Sequence, residues 1–407
     1  MCISKMASSI RESVTLKLNA KAGELRRSGA PVIHLGGGEP KSKAPASAAA
    51  EVTKLVESGE VRYAPADGIA PLKEAIARYT AEYYQRAVKP EHILASGGAK
   101  QALYSALQAF LEPGDEVLMP SPYWVSYPEI ISMLGGEPKP FVPADGSVYP
   151  CLSDIERAAG PRTRAVIINS PNNPSGAMYG EQFIADVVRY CEQHDLYLIM
   201  DDIYHRLVFD GKKAPNCYDF ASSGPENDSS RLIVVNGVSK QYAMTGYRIG
   251  WAVAARPLIT VMATLQGHQT SGPSIVGQVA AVGALNGDQS SVDQLRADLE
   301  QNRNVLLEQL AGIPGISVTK PDGTFYCFVD FSTHDADSTR LAEWLIEKVQ
   351  VVTVPGLDFG LEGYLRLSYC GSADDVIQGV ARIKWALDPD APKELTQGGH
   401  TWEKDWH

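Results

Sequence analysis

Short runs of consecutive apolar residues recur along this chain at 93–96, 116–120, 165–170, 197–202, 232–236 and 248–254, with amphipathic stretches such as 101–111 and 182–194 between them. Strands alternating with helices predict an α/β fold, a mostly parallel sheet covered by helices on both faces. In such sheets ligands collect beyond the carboxyl ends of the strands.

After residue 286 the texture changes. A long charged amphipathic helix over 291–310 leads to Pro314-Gly315 and an apolar strand over 324–329, then a helix over 338–350 and strands over 351–354 and 364–369. This pattern predicts a smaller α+β domain over 287–387, which the opening residues 1–45 are expected to join, around a large domain over 46–286. Serines and Gly224-Pro225 mark 221–230 as a surface loop. The polar end, 388–407, holding Pro389, Pro392 and Gly398-Gly399, reads as a loosely held tail.

A length of 407 residues exceeds what one hydrophobic core usually supports, in keeping with one large and one smaller domain. The net charge of −11 argues against non-specific binding to nucleic acid or anionic membrane, although one positive pocket suffices for a small anion. Cys2, Cys151, Cys191, Cys217, Cys327 and Cys370 are scattered, without metal-ligand spacing, and read as reduced, mostly buried thiols. No apolar run approaches the ~18 residues of a membrane span, and residues 1–20 lack a signal-peptide core. The expected compartment is the cytoplasm.

Chemistry concentrates where the strands end. The run Arg231-Leu-Ile-Val-Val-Asn-Gly-Val-Ser-Lys240 is a buried-strand pattern emptying into a polar turn that presents one lysine. A desolvated lysine has a lowered pKa and becomes a nucleophile toward aldehydes, as in enzymes using pyridoxal phosphate (PLP); a solvated edge charge is the plainer alternative. Arg248, eight residues on, offers a permanent cation for a phosphate, and Gly97-Gly98-Ala99-Lys100 before a helix offers backbone N–H groups to the same anion. Asp201 ends another strand; it is either a helix cap, a role Asp202 could also fill, or the carboxylate that keeps a pyridine nitrogen protonated. In Ser170-Pro-Asn172-Asn173-Pro the second amide, with the Tyr204 hydroxyl, could donate to a phenolate oxygen, though Asn and Pro are also ordinary turn formers. Trp124 offers an aromatic face or a core side chain. Arg366, alternating with Leu365 and Leu367, is either a solvent-facing charge or a fork for an α-carboxylate.

With these residues assembled, the chain resembles the class I/II PLP-dependent aminotransferases of fold type I, in particular the bacterial aspartate and aromatic aminotransferase branch. The blocks LGGGEP, YAPADGIAPLKEAI, SGGAKQAL, PSPYWVSYPE, SPNNPSG, DDIYHRL, NGVSKQYAMTGYRIGW and VPGLDFG with LRLSY carry the resemblance, over 32–383. It implies that Lys240 binds PLP covalently and acts in catalysis with Asp201, the pyridinium partner, and Tyr204, which with Asn173 reaches the phenolic oxygen. It further implies that Trp124 and Ile203 pack on the two ring faces, and that Arg248 and the Ala99-Lys100 backbone hold the phosphate. Tyr63 and Ser271 would approach that phosphate from a partner subunit, so a homodimer with shared sites is implied. Arg366 would bind the substrate carboxylate, with Gly38, Trp124 and Asn173 lining the substrate. No metal is implied.

Departures from the family's pattern bear on substrate. Some relatives carry a serine phosphate ligand where this chain has Gly237, and one branch carries a carboxylate-binding arginine near the position of Gly267, followed here by His268-Gln269. Lys41 and Lys43 stand in a stretch that is commonly acidic in the branch; they either draw a dicarboxylate or are solvated. The resemblance implies transfer of an amino group from an L-amino acid, aspartate or glutamate first, to a 2-oxo acid by a ping-pong mechanism. An aromatic aminotransferase or a PLP-dependent carbon-sulfur lyase is the alternative; a PLP-sensing regulator is remote, since little sequence precedes residue 32.

Overall fold

The architecture is that of a computed structural model, which describes residues 3–10 and 14–406. Met1, Cys2, 11–13 and His407 lie outside the described residues, and so does the reading made of the Cys2 thiol.

Seven strands form the central sheet: β1 (Ile93–Ser96), β2 (Glu116–Pro120), β3 (Glu137–Phe141), β4 (Thr163–Asn169), β5 (Tyr197–Asp201), β6 (Leu232–Gly237) and β7 (Gly250–Val253). Their order is β1-β7-β6-β5-β4-β2-β3. All neighbours are parallel except β7, which runs antiparallel to both β1 and β6. Because side chains alternate across a strand, each strand feeds two cores. Val166, Ile168, Leu198, Met200 and Val234 enter one apolar cluster, while Ala165, Ile167, Ile199, Ile233 and Val235 enter the other. That division is why these strands read as unbroken apolar runs.

Edge strand β3 was not anticipated. Its Glu-Pro-Lys-Pro-Phe sequence pairs on one side alone, with β2, so its two prolines cost no ladder bond on the open side. The run 248–254 starts as a strand only at Gly250, because Arg248 adopts a left-handed backbone (φ 56°). The predicted strand over 351–354 is two short pieces in different sheets. Val351–Val352 pairs in parallel with Ile33–His34, and Val354–Pro355 joins β11 (Tyr364–Ser368) in a four-stranded antiparallel sheet with β9 (Tyr326–Asp330) and β8 (Ser317–Val318); Val354–Pro355 is β10.

Helices used below are α1 (Ala70–Tyr83), α2 (Ala99–Phe110), α3 (Ser126–Met133), α4 (Arg256–Thr270), α5 (Ser290–Leu310), α6 (Ser338–Val349) and α7 (Ala373–Leu387). A third apolar cluster joins α5, α6 and α7 to β9 and β11, and also takes in Ile203, Tyr204 and Leu207 from beyond β5.

The tail expectation is corrected. Residues 394–403 form a hairpin, β12 (Glu394–Gln397) with β13 (His400–Glu403), closed by Gly398-Gly399 with φ of 58° and 78°. Two positive φ values in a two-residue loop suit the strand twist, and glycine adopts them without strain. Trp402 is 4% exposed, donates its indole N–H to Gln350, and takes the Arg382 guanidinium on its ring at 4.1 Å; Trp406 packs edge-on against Trp344 and Trp385.

Of the described cysteines, Cys191, Cys217, Cys327 and Cys370 are buried and Cys151 is exposed, all as free thiols. No helix among the described residues is long and apolar enough to cross a membrane.

Candidate active site

The carboxyl ends of β1, β2, β4, β5 and β6 share one edge of the sheet, and β7 starts there. From them come Ala99 and Lys100, Trp124, Asn173, Asp201 and Lys240, with Arg248 just before β7.

Half-buried Lys240 donates from Nζ to the Gly38 carbonyl oxygen at 2.6 Å. Burial first, then the Arg366 and Arg248 charges, lower its pKa to about 8 against the opposing pull of Cys370 and Glu39. A good part of its amine is therefore unprotonated at mildly alkaline pH, and a minor but usable fraction at neutrality. Asp201 is 4% exposed; its Oδ2 accepts from the Tyr127 hydroxyl at 2.6 Å, while its Oδ1 has no side-chain hydrogen-bond partner among the described residues. Burial raises this carboxyl to about 6, with the Tyr127 hydroxyl, the Ile203 backbone N–H and Lys240 pulling it down. A buried polar oxygen left unpaired is costly, and its presence at a strand end asks for a donor from outside the chain.

Arg366, on β11, is 5% exposed and donates to Asn173 Oδ1 at 3.0 Å and to the Gly36 carbonyl at 3.2 Å. Its guanidinium lies 4.2 Å from the Tyr326 ring and 4.9 Å from that of Phe359, and its Nε has no partner. Asn173 is itself fixed by its backbone N–H, which donates to Asn169 Oδ1, while Asn169 Nδ2 donates to the Asp201 carbonyl. Tyr204 is buried against Phe325 and Tyr326, and that burial, with Tyr326 beside it, holds its hydroxyl well above the ordinary phenol value. Ile203 packs in the same cluster.

At the other end, Arg248 donates to the Thr245 and Gly97 carbonyls. A Cβ on Gly98, whose φ is 98°, would meet Arg248 Nη2 at 2.6 Å, so glycine is what allows the guanidinium to lie over the start of α2. Lys100 reaches across to the Trp124 ring at 4.9 Å, and Trp124 meets Tyr127 edge-on at 5.4 Å. Gly237 is closely hemmed: a Cβ there would lie 2.9 Å from the Ile249 carbonyl, leaving no room for a serine at this position.

Among the described residues, no carboxylate lies within ion-pair distance of Lys100, Lys240, Arg248 or Arg366. Lys41, by contrast, pairs with Asp375 at 2.9 Å. Tyr63 is 94% exposed and Ser271, in a left-handed turn ending α4, is exposed; neither is hydrogen-bonded to this cluster among the described residues. Sequence reasoning missed Tyr127, Tyr326 and the Gly36 carbonyl. Tyr127 had a signal, since it stands one helical turn from Trp124.

The family profile described as aminotransferase class I and II matches residues 30–383. A probable aspartate/prephenate aminotransferase of Aquifex aeolicus is 37% identical over 394 residues, covering 95% of this chain and 98% of its own. The aspartate aminotransferase of Bacillus subtilis is 35% identical, covering 94% and 98%. Among solved structures, an aspartate aminotransferase from Thermus thermophilus with maleate superposes with a TM-score of 0.89 at 36% identity, covering 94% of this chain and 99% of that one.

Proposed function

The chain belongs to the class I and II aminotransferase family and is an aminotransferase; from that premise we propose that it uses PLP on Lys240 to exchange amino groups between aspartate or glutamate and 2-oxo acids. One observation carries the reading: Lys100, Lys240, Arg248 and Arg366 gather, without carboxylate partners among the described residues, beside a buried carboxylate with one unpaired oxygen. In a chain of net charge −11, such a pocket is built for anions and for one protonated ring nitrogen.

The residues fit the cofactor. Asp201 Oδ1 lacks the donor a pyridinium would provide, and the Gly98 and Arg248 cradle at the start of α2 suits a phosphate. Asn173 and Tyr204 would reach the phenolic oxygen, Trp124 and Ile203 the ring faces, and Ala99 and Lys100 the phosphate through their backbone. Bound PLP supplies an aldehyde that captures amines and a protonated ring that takes up electrons released at the α-carbon.

The protein does the rest. Arg366 clamps the substrate α-carboxylate through a guanidinium stacked on Tyr326, while Gly38 and Asn173 line the substrate. Once its Nζ is free, Lys240 takes the α-proton and returns it one position away; its lowered pKa makes it both a competent base and a competent acid near neutrality. Asp201 keeps a positive charge next to it in place. Tyr63 and Ser271, solvent-facing here, support a homodimer in which each subunit completes the other's phosphate site. The free thiols support work in the cytoplasm.

An aromatic donor is the second reading, favoured by the Tyr326 and Phe359 rings beside Arg366. The test mixes PLP-loaded protein with aspartate, glutamate, tyrosine and kynurenine separately and follows the cofactor spectrum through the first half-reaction. Fast conversion by aspartate or glutamate supports the proposal. Conversion by tyrosine with none by either acid moves the assignment to aromatic donors, and pyruvate with ammonia from a β-substituted substrate moves it to a lyase.

A further inference from the structure

Behind the site, six buried or nearly buried side chains that no part of the proposed chemistry touches are joined by hydrogen bonds. The Tyr84 hydroxyl donates to Asp202 Oδ2 at 3.0 Å, and Asn236 Nδ2 donates to Tyr84 at 3.0 Å. Asn236 Nδ2 also lies 3.0 Å from His205 Nδ1, His205 Nε2 lies 2.9 Å from the Tyr79 hydroxyl, and that hydroxyl donates to Gln241 Oε1 at 3.0 Å. Gln241 Nε2 closes the circuit on Asn236 Oδ1 at 3.2 Å and also reaches the Gly237 carbonyl.

Proton counting fixes the directions. Tyr79 has one hydroxyl hydrogen. With neutral His205 protonated on Nε2, that N–H goes to Tyr79, Tyr79 to Gln241, Gln241 to Asn236, and Asn236 back to His205 Nδ1, so every ring member donates and accepts. The other tautomer would send Nδ1–H to the Asp202 carbonyl 3.1 Å away, which already accepts the His205 amide. Tyr79 would then face two acceptors with one hydrogen, leaving either His205 Nε2 or Gln241 Oε1 short of a donor. Burial and the nearby Arg206 lower the imidazole pKa to about 3, in keeping with a neutral ring.

The circuit joins the backbone segments that carry the chemistry. His205 lies four residues beyond Asp201, Asn236 lies in β6, and Gln241 directly follows Lys240. We propose that His205 is a positioning residue for transamination: the closed circuit His205–Tyr79–Gln241–Asn236 holds the Lys240 turn and the exit of β5 at a fixed separation. This rests on the reading of Lys240 and Asp201 given above. A displacement near 1 Å at a reacting group can cost ~100-fold in rate.

The tests use the full chain. His205→Leu removes both ring nitrogens; it is expected to lower kcat ~10- to 100-fold while the amino donor's KM changes less than ~3-fold. Tyr79→Phe deletes one oxygen with little change of volume and is expected to cause a smaller loss of the same kind. His205→Gln, which keeps a donor and an acceptor, is expected to recover kcat to within ~5-fold of the parent. A readout independent of PLP is the pH midpoint for chemical modification of Lys240 in cofactor-free protein, followed by peptide mapping. It is expected to rise toward the ordinary lysine value in His205→Leu and Tyr79→Phe, because a released lysine regains water. Unchanged kcat in both variants, or a lowered melting temperature with an unmoved midpoint, overturns the proposal. Failure of the underlying reading appears separately, as absence of a reducible cofactor link at Lys240 in the parent protein.

Discussion

Asp201 and Asp202 are consecutive, each 4% exposed, and both are pushed up by burial, to about 6 and about 7. They face opposite fates. Asp201 lies near Lys240 with an unpaired oxygen, among cations that have no carboxylate partner among the described residues. Asp202 terminates a network in which Tyr84, Asn236, His205, Tyr79 and Gln241 satisfy one another. Burial alone therefore does not mark a ligand site; at Asp201 the mark is an unpaired carboxylate oxygen together with nearby cations.

The sharpest break between the two sides is expected from removing the nucleophile. Lys240→Ala should lower transamination by ~10⁴-fold or more, since both proton transfers lose their carrier, while the melting temperature of the cofactor-free protein changes little; steady-state kinetics and a melting curve read the two. Next comes a matched pair. Asp201→Asn is expected to cost on the order of 10²- to 10³-fold in kcat, whereas Asp202→Asn, which still accepts from Tyr84, should stay within ~5-fold. If both lose activity equally, the distinction between an open and a closed side fails.

Arg366→Leu is expected to raise KM for both amino and oxo acids, lowering kcat/KM ~10²-fold through loss of a charge-assisted pair. It also removes the largest neighbouring charge that lowers the Lys240 pKa, so the modification midpoint of Lys240 should move up from about 8 in that variant.

A stability comparison separates Asp202 by pH. Its native pKa is raised, so between about pH 4 and pH 7 the native state holds more of its proton than the unfolded state does, and its contribution to stability falls as pH rises through that window. Asp202→Asn lacks this penalty. Denaturant titrations should show the variant gaining on the parent from pH 5 to pH 8, by on the order of 3 kcal/mol at most.

Much of this organisation was legible in the chain. Buried strands such as 165–170 and 232–236 announced themselves because both faces are covered, and the residues just past them, Asn173, Asp201 and Lys240, fell at one sheet edge as the topology requires. What stayed hidden depends on pairing at a distance. β3 carries prolines that a central strand would exclude, and only its edge position permits them. The hairpin over 394–403 stands where polarity and prolines indicate a loose tail; Gly398-Gly399 is a turn signal, but the burial of Trp402 depends on Arg382 of α7, outside the local sequence pattern. The His205 circuit joins residues up to 162 positions apart, and no local pattern announces it.

The smallest effect on chemistry is expected from that hairpin. Trp402→Ala removes a buried indole from the Arg382 guanidinium and should cost about 3 kcal/mol of stability while kcat/KM stays within ~3-fold, measured by urea unfolding and kinetics on the same preparation.

The central claim is that Lys240 carries the cofactor. Protein loaded with PLP is reduced with borohydride, digested and mapped by mass spectrometry. The structure predicts a stable pyridoxyl label on Lys240 of the Ser239-Lys240-Gln241 segment; a label on Lys100 or any other lysine instead, or no label at all, would contradict it.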